Sequence, residues 1–354
     1  MSRLSTSILI VRHGPGRGRF FRYGERTLDW IRRNDPALGR RIVIHETGSG
    51  ATPTVAADAG AVVFWMADPL RELYSDCFAE ACEIAELATR RGARVVNPPD
   101  TLSNSIKTTQ ARLWEQAGIP CASGQRFTGP IELERLLETA EFPVIVRPDL
   151  LHAQQGMHLC GTRDEAIAAA EADGRYPGAL MQFVDTRQEY RLRDAASVWA
   201  QCYHKKRAYV FGDVVLPIHI FFSTSPIVAW RGSTFSRYAG WASLGQHIAY
   251  FRRLDREALT ADIAFSRGNP EEPALMRRAA AALGLEFVAL DYSTFADGRV
   301  VLWEANPHPS IPGWRHTGMP LARRTFGRLT RIYAAIATFF RSLVHESIDH
   351  RRTA

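Results

Sequence analysis

Two acids and one amide in the last third of the chain have a spacing that could bind a metal ion. Segment 287–306 reads as two short strands joined by an Asp-Gly turn at 297–298. A symmetric hairpin around that turn places Asp291 directly opposite Glu304, with Asn306 on the same face. Opposed carboxylates repel each other, whereas Mg²⁺ would turn them into ligands. From this stretch alone, two solvated acids on an edge hairpin remain an equal alternative.

The elements before the hairpin begin with an α/β lobe. Apolar runs of strand length alternate with helical patterns, which predicts a parallel sheet. A long helical pattern covers 69–91, and the breaker Asn-Pro-Pro-Asp ends the lobe at 97–100. The predicted strands are Ser7–Arg12, Arg41–His45, Ala61–Met66 and Ala93–Asn97.

A helix over 105–117, capped by Ser103 or Asn104, is predicted next, and Lys107 lies in its first turn. A cation there is unfavourable against the helix dipole unless an anion is near. A smaller α+β unit follows over 121–184. The predicted elements after it are strands over 190–193, 200–211 and 214–222, and helices over 254–265 and 272–283.

The final segment, from Pro320 to about Ile348, is predicted to be one amphipathic helix. Leu321, Phe326, Leu329, Tyr333, Ile336, Phe340 and Val344 form its apolar stripe. We expect this stripe to pack against the body of the protein. A contact with a partner, such as a second copy in a homodimer, is the alternative.

Composition narrows the class of protein. The net charge of +7 suits an acidic small molecule or a nucleotide as well as it suits nucleic acid. The arginines are dispersed, so we expect no nucleic-acid partner. No apolar run reaches the roughly 18 residues of a membrane helix, so we expect no membrane partner either. Five scattered cysteines indicate reduced thiols and a cytoplasmic location.

The order of motifs resembles the ATP-grasp superfamily of carboxylate–amine ligases, which includes D-alanine–D-alanine ligase, glutathione synthetase and the ribosomal-protein glutamate ligases. The resemblance covers about residues 97–312. Its motifs are Asn-Pro-Pro (97–99), the helix with Lys107 ending in Gly-Ile-Pro (118–120), Phe-Pro-Val-Ile-Val-Arg-Pro (142–148), Met-Gln-Phe-Val (181–184), Glu-Tyr-Arg (189–191) and Trp-Glu-Ala-Asn-Pro-His-Pro (303–309).

The resemblance implies an α/β fold in three parts. These are an N-terminal parallel α/β domain (1–100), an ATP-grasp domain (101–319) with a small α+β lid (121–184) and an antiparallel-sheet subdomain, and a C-terminal helix (320–354). It also implies ATP as the nucleotide and Mg²⁺ as the metal, with Mn²⁺ a possible substitute. The implied partners are a carboxylate and an amine, either of them a small molecule or a peptide.

Residue by residue, the resemblance implies a complete nucleotide site. Lys107 and Arg147 would bind phosphates, with Arg147 standing where the family has lysine. Gly156 lies in the loop expected to cover the triphosphate. Gln182, Phe183 and Val184 form the adenine hinge, Glu189 binds the ribose, and Arg191 contacts phosphate or acyl phosphate. Asp291, Glu304 and Asn306 would hold the magnesium. His308, Ser310 and Arg315 follow the metal motif, where relatives often bind substrate.

Three other functions remain open. An ATP-grasp-like binding or regulatory protein without turnover is favoured by Arg147, Gln182 and the glycine-poor loop. A member that phosphorylates its substrate and stops there is the second. Third, Ile-Val-Arg-His-Gly (10–14) resembles the opening of histidine phosphatases, with His13 as the nucleophile, although the residues after it depart from that family.

Overall fold

The computed structural model describes residues 7–14, 24–48, 58–152, 154–229, 233, 253–309 and 319–353. In the last helix, side chains are described from Arg328 to His345. Ser310 and Arg315 lie outside the described residues.

The N-terminal part forms the predicted parallel sheet, with strand order β2-β1-β3-β4. Alternate residues of β1 enter different cores. Ile8 packs with Leu28 of helix α1 on one face, and Leu9 packs with Ile84 of helix α4 on the other. The elements are β1 (Ile8–Arg12), α1 (Glu25–Asn34), α2 (Pro36–Gly39), β2 (Ile42–Glu46), β3 (Ala61–Phe64), α3 (Leu70–Leu73), α4 (Ser75–Arg90) and β4 (Arg94–Val96).

A 3-10 helix (Pro99–Ser105) leads into α5 (Lys107–Gln116). The predicted caps Ser103 and Asn104 are wrong, because both residues lie within the 3-10 helix. Asp149, from the loop after a later strand, caps α5 instead. Its Oδ1 accepts from the backbone amide of Thr108 at 3.0 Å, and its Oδ2 accepts from the Thr108 hydroxyl at 2.7 Å. This cap ties α5 to the lid.

The unit over 121–184, called the lid after its predicted role, contains an antiparallel sheet of order β5-β8-β6-β7, with helices on one face. Its elements are β5 (Gly124–Phe127), α6 (Pro130–Leu137), β6 (Val144–Pro148), β7 (His158–Cys160), α7 (Arg163–Asp173) and β8 (Gly178–Gln182). Val144 and Val146 pack with Leu133 of α6 and Ala166 of α7. Because side chains alternate along a strand, Ile145 and Arg147 lie on the other face, away from the helices.

The central sheet is antiparallel, with order β10-β9-β11-β12. The elements of this part are α8 (Gln188–Asp194), α9 (Val198–Gln201), β9 (Tyr203–Phe211), β10 (Val214–Ser223), α10 (Arg253–Arg267), α11 (Pro273–Ala282), β11 (Phe287–Thr294), β12 (Val300–Asn306) and α12 (Met319–Thr353). The strand predicted over 190–193 is wrong. That stretch belongs to α8, which buries no residue. The backbone amide of Arg191 donates a helical hydrogen bond to the carbonyl oxygen of Arg187.

The hairpin β11–β12 places Asp291 directly opposite Glu304, as predicted, but by a different route. The hairpin loop holds three residues and not the two of the symmetric turn assumed. Thr294 therefore pairs with Val300 and not with the residue after it. A β-bulge at Trp303 adds one residue to β12 and restores the predicted pairing beyond it. The bulge therefore sets which residues meet at the end of the hairpin.

Helix α12 packs against the body, as its apolar stripe predicts. Leu329, Tyr333, Ile336, Phe340 and Val344 are all buried. They share one core with Ile8 and Ile10 of the N-terminal sheet and with Tyr209 and Phe211 of β9. The helix thus joins two of the three sheets.

None of the helices that the structure describes is both long and apolar enough to cross a membrane.

Candidate active site

A cleft opens between the helix-free face of the lid sheet and the central sheet. Ile145 and Met181, which lie opposite each other on β6 and β8, line it from the lid. Tyr203 and Lys205 of β9 and Glu304 of β12 line it from the central sheet. One end is apolar and the other is charged, as expected of a site that holds a flat apolar group and an anionic tail.

Arg147 and Glu304 line the charged end of the cleft, and Lys107 lies behind them against Glu304. Lys107 is the first residue of α5 and only 2% exposed, and its Nζ lies 2.7 Å from Oε1 of Glu304. Arg147 is also buried and donates to the carbonyl oxygen of Leu151 at 2.7 Å. Its Nε has no hydrogen-bond partner among the described residues. The anion that Lys107 requires at the start of a helix is therefore Glu304.

Glu304 is held ionised by its neighbours. Burial alone would raise its pKa, but the ammonium of Lys107, His152 and the guanidinium of Arg147 hold the pKa well below its usual range. Nδ1 of His152 lies 3.5 Å from Oε1 of Glu304. This carboxylate is therefore charged, with Lys107 already in contact with it.

Arg207, Asp291 and Glu304 form one row across β9, β11 and β12. Asp291 is paired with Arg207 on one side and with Glu304 on the other. The Asp291 oxygens accept from Nε of Arg207 at 2.5 Å and from its Nη2 at 2.8 Å, and Nζ of Lys205 lies 2.9 Å away. Burial would raise the pKa of Asp291, but Arg207 and Lys205 lower it. Asp291 is ionised and surrounded by cations.

Helix α5 fixes the bulge of β12 through Gln110. Oε1 of Gln110 accepts from the amide of Ala305 at 2.6 Å, and its Nε2 donates to the carbonyl oxygen of Trp303 at 3.2 Å. Gln110 is one turn along α5 from Lys107, so both side chains project from one side of the helix. One helix therefore positions both the bulge and the cation that meets Glu304.

His152, in the lid loop, connects the lid with the N-terminal part. Its Nε2 lies 2.7 Å from the carbonyl oxygen of Asp68 and 3.2 Å from Oδ2 of Asp68. Burial lowers the pKa of His152, but the Asp68 carboxylate outweighs it and raises the pKa to about 9. The ring is thus a half-buried cation between two acids, Asp68 and Glu304.

The three predicted metal ligands differ in how they fit a cation. Glu304 lines the cleft, and its side chain is 16% exposed. Nδ2 of Asn306 is buried without a hydrogen-bond partner among the described residues. Because an amide can be turned over without other change, Oδ1 could stand in that place and meet a metal. Asp291 is fully buried and its oxygens are already bonded, so Glu304 and Asn306 fit a metal ion better.

The predicted hinge lines the cleft, whereas Glu189 and Arg191 lie outside it. Gln182, Phe183 and Val184 all lie along its wall. The carboxylate of Glu189 pairs with Arg299 beside the hairpin loop. Nε of Arg191 donates to the carbonyl oxygen of Ala200 at 3.3 Å. The roles of Glu189 and Arg191 stay predictions.

Gly156 lies in the lid loop for a reason that needs no ligand. Its φ of +62° is in the left-handed region, which favours glycine. A Cβ at this position would lie 2.1 Å from Oδ2 of Asp173. Loop geometry therefore explains this glycine, and its contact with phosphate stays a prediction.

The surroundings of His13 do not suit a phosphatase nucleophile. It is 1% exposed, its ring lies edge-on to Tyr74, and its Nε2 accepts from the amide of Ala67 at 3.0 Å. A nucleophile must reach its substrate, and this nitrogen is already bonded inside the protein.

Sequence reasoning missed the roles of Asp68, Gln110, Asp149 and Arg207. Arg207 had a detectable signal, because Lys205 and Arg207 alternate on a predicted strand and must share a face. The other three act through partners 41 to 195 positions away in the chain. No local pattern marks them.

The arrangement of sheets is shared with solved structures of ATP-grasp enzymes. VanG D-Ala:D-Ser ligase from Enterococcus faecalis is 12% identical, with a TM-score of 0.56 over 96% of this chain and 99% of that chain. D-cycloserine synthetase DcsG is 13% identical, with a TM-score of 0.54 over 92% and 100%. The ATP-grasp ligase PsnB, complexed with minimal precursor, Mg and ADP, is 14% identical, with a TM-score of 0.50 over 92% and 99%.

No protein-family model and no curated protein matches the chain. The likeness is therefore one of structure, and it spans nearly the whole length of each chain. The chain has the ATP-grasp fold, and the predicted α/β fold class is confirmed.

Proposed function

We propose that the chain is an ATP- and Mg²⁺-dependent ligase that activates a carboxylate as an acyl phosphate and joins it to an amine. The observation that carries the proposal is the cleft. An apolar wall between two antiparallel sheets leads to the ion-paired cluster of Lys107, Arg147 and Glu304. The fold supports it, since similar solved structures include a D-Ala:D-Ser ligase and a ligase with Mg and ADP.

In this proposal the adenine lies against Ile145 and Met181, with its edge toward the backbone of residues 182–184. The side-chain amide of Gln182 offers an acceptor for the adenine amino group. The triphosphate extends toward Arg147 and Lys107. The Nε of Arg147, which has no hydrogen-bond partner among the described residues, supplies a donor there, and a guanidinium binds phosphate oxygens in pairs.

Glu304 and Asn306 would hold Mg²⁺, which when bound supplies positive charge to the phosphate oxygens. Lys107 would then be shared between Glu304 and phosphate. His152 is a second cation beside Glu304, so the carboxylate stays ionised. This part of the site therefore suits an anion with several negative charges.

The chemistry asks mainly for charge neutralisation and position. A substrate carboxylate oxygen attacks the γ-phosphorus of ATP, the bond to the bridging oxygen breaks, and ADP leaves. The amine then attacks the acyl carbon, the bond from that carbon to the phosphate oxygen breaks, and the proton lost by the amine leaves with the phosphate. Lys107 and Arg147 bind the oxygens on which charge develops. The lid loop excludes water, which would otherwise hydrolyse the acyl phosphate.

The test is ADP release from ATP and Mg²⁺ across pairs of carboxylates and amines, including amino acids and short peptides. Peptides belong in the panel because PsnB is complexed with a precursor. We expect ADP together with an amide, whose mass is that of the two partners less one water, for at least one pair. Glu304→Gln should lose this turnover while its circular dichroism spectrum stays unchanged. Turnover by Glu304→Gln equal to that of the unaltered chain would contradict the metal assignment.

A nucleotide-binding protein without turnover is the second candidate. Asp291 favours it, because its oxygens are bonded to Arg207 and Lys205 and are not open to a metal. Binding of ATP with no ADP on any pair would support this candidate. ADP without amide would instead support a member that phosphorylates its substrate and stops there.

A further inference from the structure

Asp291 has contacts unlike those of its neighbour Glu304. Arg207 binds the Asp291 carboxylate through two nitrogens, at 2.5 and 2.8 Å, and Lys205 adds an ammonium at 2.9 Å. None of the Asp291 side chain is exposed. A metal ion could reach it only by displacing a paired guanidinium or ammonium inside the protein, which leaves a buried charge without its partner.

The backbone enforces these pairs. Arg207 lies directly opposite Asp291 in the β9–β11 register, and Lys205 is two residues away on the same face of β9. By contrast, the cations beside Glu304 come from α5 and from the lid loop. The Asp291 pairs are therefore part of the sheet itself, whereas the contacts of Glu304 can be exchanged without disturbing a strand.

Lys205 stands where a ligand would arrive. Its side chain is 14% exposed and lines the cleft together with Arg147 and Glu304, whereas Asp291 does not line it. A ligand in the cleft meets the ammonium before the carboxylate.

We propose that Asp291 does not coordinate a metal in this chain but positions Lys205 and Arg207 as two fixed cations for the phosphate end of the nucleotide. The proposal rests on the proposed function. A single divalent ion at Glu304 and Asn306 then suffices, because Lys205 and Arg207 supply charge that a further metal contact would otherwise give. Asp291 is thus a positioning residue, and Lys205 makes the direct contact.

The experiment separates metal contacts from fixed cations by measuring the Kd of the ATP analogue AMPPNP twice, once in EDTA and once in Mn²⁺. The ratio of the two values reports the coupling between metal and nucleotide. Glu304→Gln should bring this ratio close to one. Asp291→Asn should weaken AMPPNP binding about tenfold in both conditions, the size of one lost charge-assisted hydrogen bond, and leave the ratio within about threefold of the unaltered chain.

Lys205→Met keeps the buried carboxylate, and its Kd for AMPPNP in EDTA and in Mn²⁺ is expected to change in the same way. It replaces Asp291→Asn if that variant does not fold. Arg163→Met removes an exposed cation from α7 and is the matched control, expected to change neither Kd. A ratio that falls in Asp291→Asn as far as in Glu304→Gln, or an EDTA Kd unchanged in Lys205→Met, overturns the proposal. Absence of AMPPNP binding by the unaltered chain overturns the proposed function as well, so the two failures are distinct.

Discussion

Asp291 lies directly opposite Glu304, and the two carboxylates are held by different cations from different parts of the chain. Arg207 and Lys205 of the neighbouring strand bind Asp291, whereas Lys107 of α5 and His152 of the lid loop meet Glu304. Like charges opposite each other destabilise a sheet, and here each is neutralised separately. The pairing depends on the bulge at Trp303, because without it the residues of β12 beyond Trp303 would face different partners.

Gln110→Leu tests how that bulge is held. The change removes the hydrogen bonds from Gln110 to Ala305 and Trp303 and leaves two buried backbone groups without partners. We expect a loss of about 2 kcal/mol in the free energy of unfolding, measured by urea titration. Gln116→Leu, exposed at the end of the same helix, should cost far less. Equal losses in the two variants would show that the bulge does not depend on Gln110.

Arg147 tests whether a guanidinium can act where the family resemblance implies lysine. Arg147→Met should weaken AMPPNP binding by about 10- to 100-fold, because one or two charge-assisted hydrogen bonds to phosphate are lost. Arg147→Lys keeps the charge but not the paired geometry, so its Kd should fall between those of the unaltered chain and Arg147→Met. An Arg147→Met variant that binds as tightly as the unaltered chain would remove Arg147 from the phosphate site.

His152 should make the stability of the protein depend on pH. Its pKa is raised to about 9 in the folded state by Asp68, against an ordinary value near 6.5. Stability from this ion pair is therefore fully present below pH 6.5 and is lost as the pH rises through 9. His152→Gln should be less stable than the unaltered chain by on the order of 2 kcal/mol at pH 6, with the gap mostly gone at pH 10. A stability difference between the two proteins that grows as the pH rises would contradict this prediction.

Gly156 tests whether the lid loop needs glycine for its own geometry. Gly156→Ala places a Cβ at positive φ and against Oδ2 of Asp173, so it should cost about 2 kcal/mol of stability. Gly161→Ala is the control, since φ there is not positive and the nearest atom to its Cβ is 3.4 Å away. Thermal unfolding of both variants in the absence of nucleotide is the measurement. A stable Gly156→Ala variant that binds AMPPNP poorly would instead point to a direct contact with the ligand.

Local patterns in the sequence were enough to predict most of the architecture. The alternation of strands and helices before residue 100 predicts the parallel sheet, and the stripe containing Leu329, Ile336 and Phe340 predicts the packed helix. The first prediction depends on short apolar runs and the second on apolar residues three or four positions apart, so both use only local sequence. The strand predicted over Tyr190–Arg193 was wrong, because four residues with no buried face do not distinguish a strand from a helix.

The candidate site was predictable in its residue types but not in its pairings. The sequence identifies Lys107, Arg147 and Glu304, and the structure brings them together. It does not reveal that Asp149 caps α5, or that His152 reaches Asp68 in the N-terminal part. Nor does it reveal that Arg207 saturates Asp291. These contacts depend on how three sheets and their connecting loops pack, and long-range packing leaves no local periodicity to read.

The central claim is that a carboxylate becomes an acyl phosphate in this cleft, and the fate of its oxygen tests this most directly. A carboxylate partner from the ADP screen, labelled with ¹⁸O in both oxygens, is incubated with ATP, Mg²⁺ and its amine. The ¹⁸O content of the released phosphate is then measured by mass spectrometry. The account predicts one ¹⁸O atom in each phosphate, because the attacking oxygen leaves with phosphorus when the amide forms. Amide product accompanied by unlabelled phosphate would contradict it.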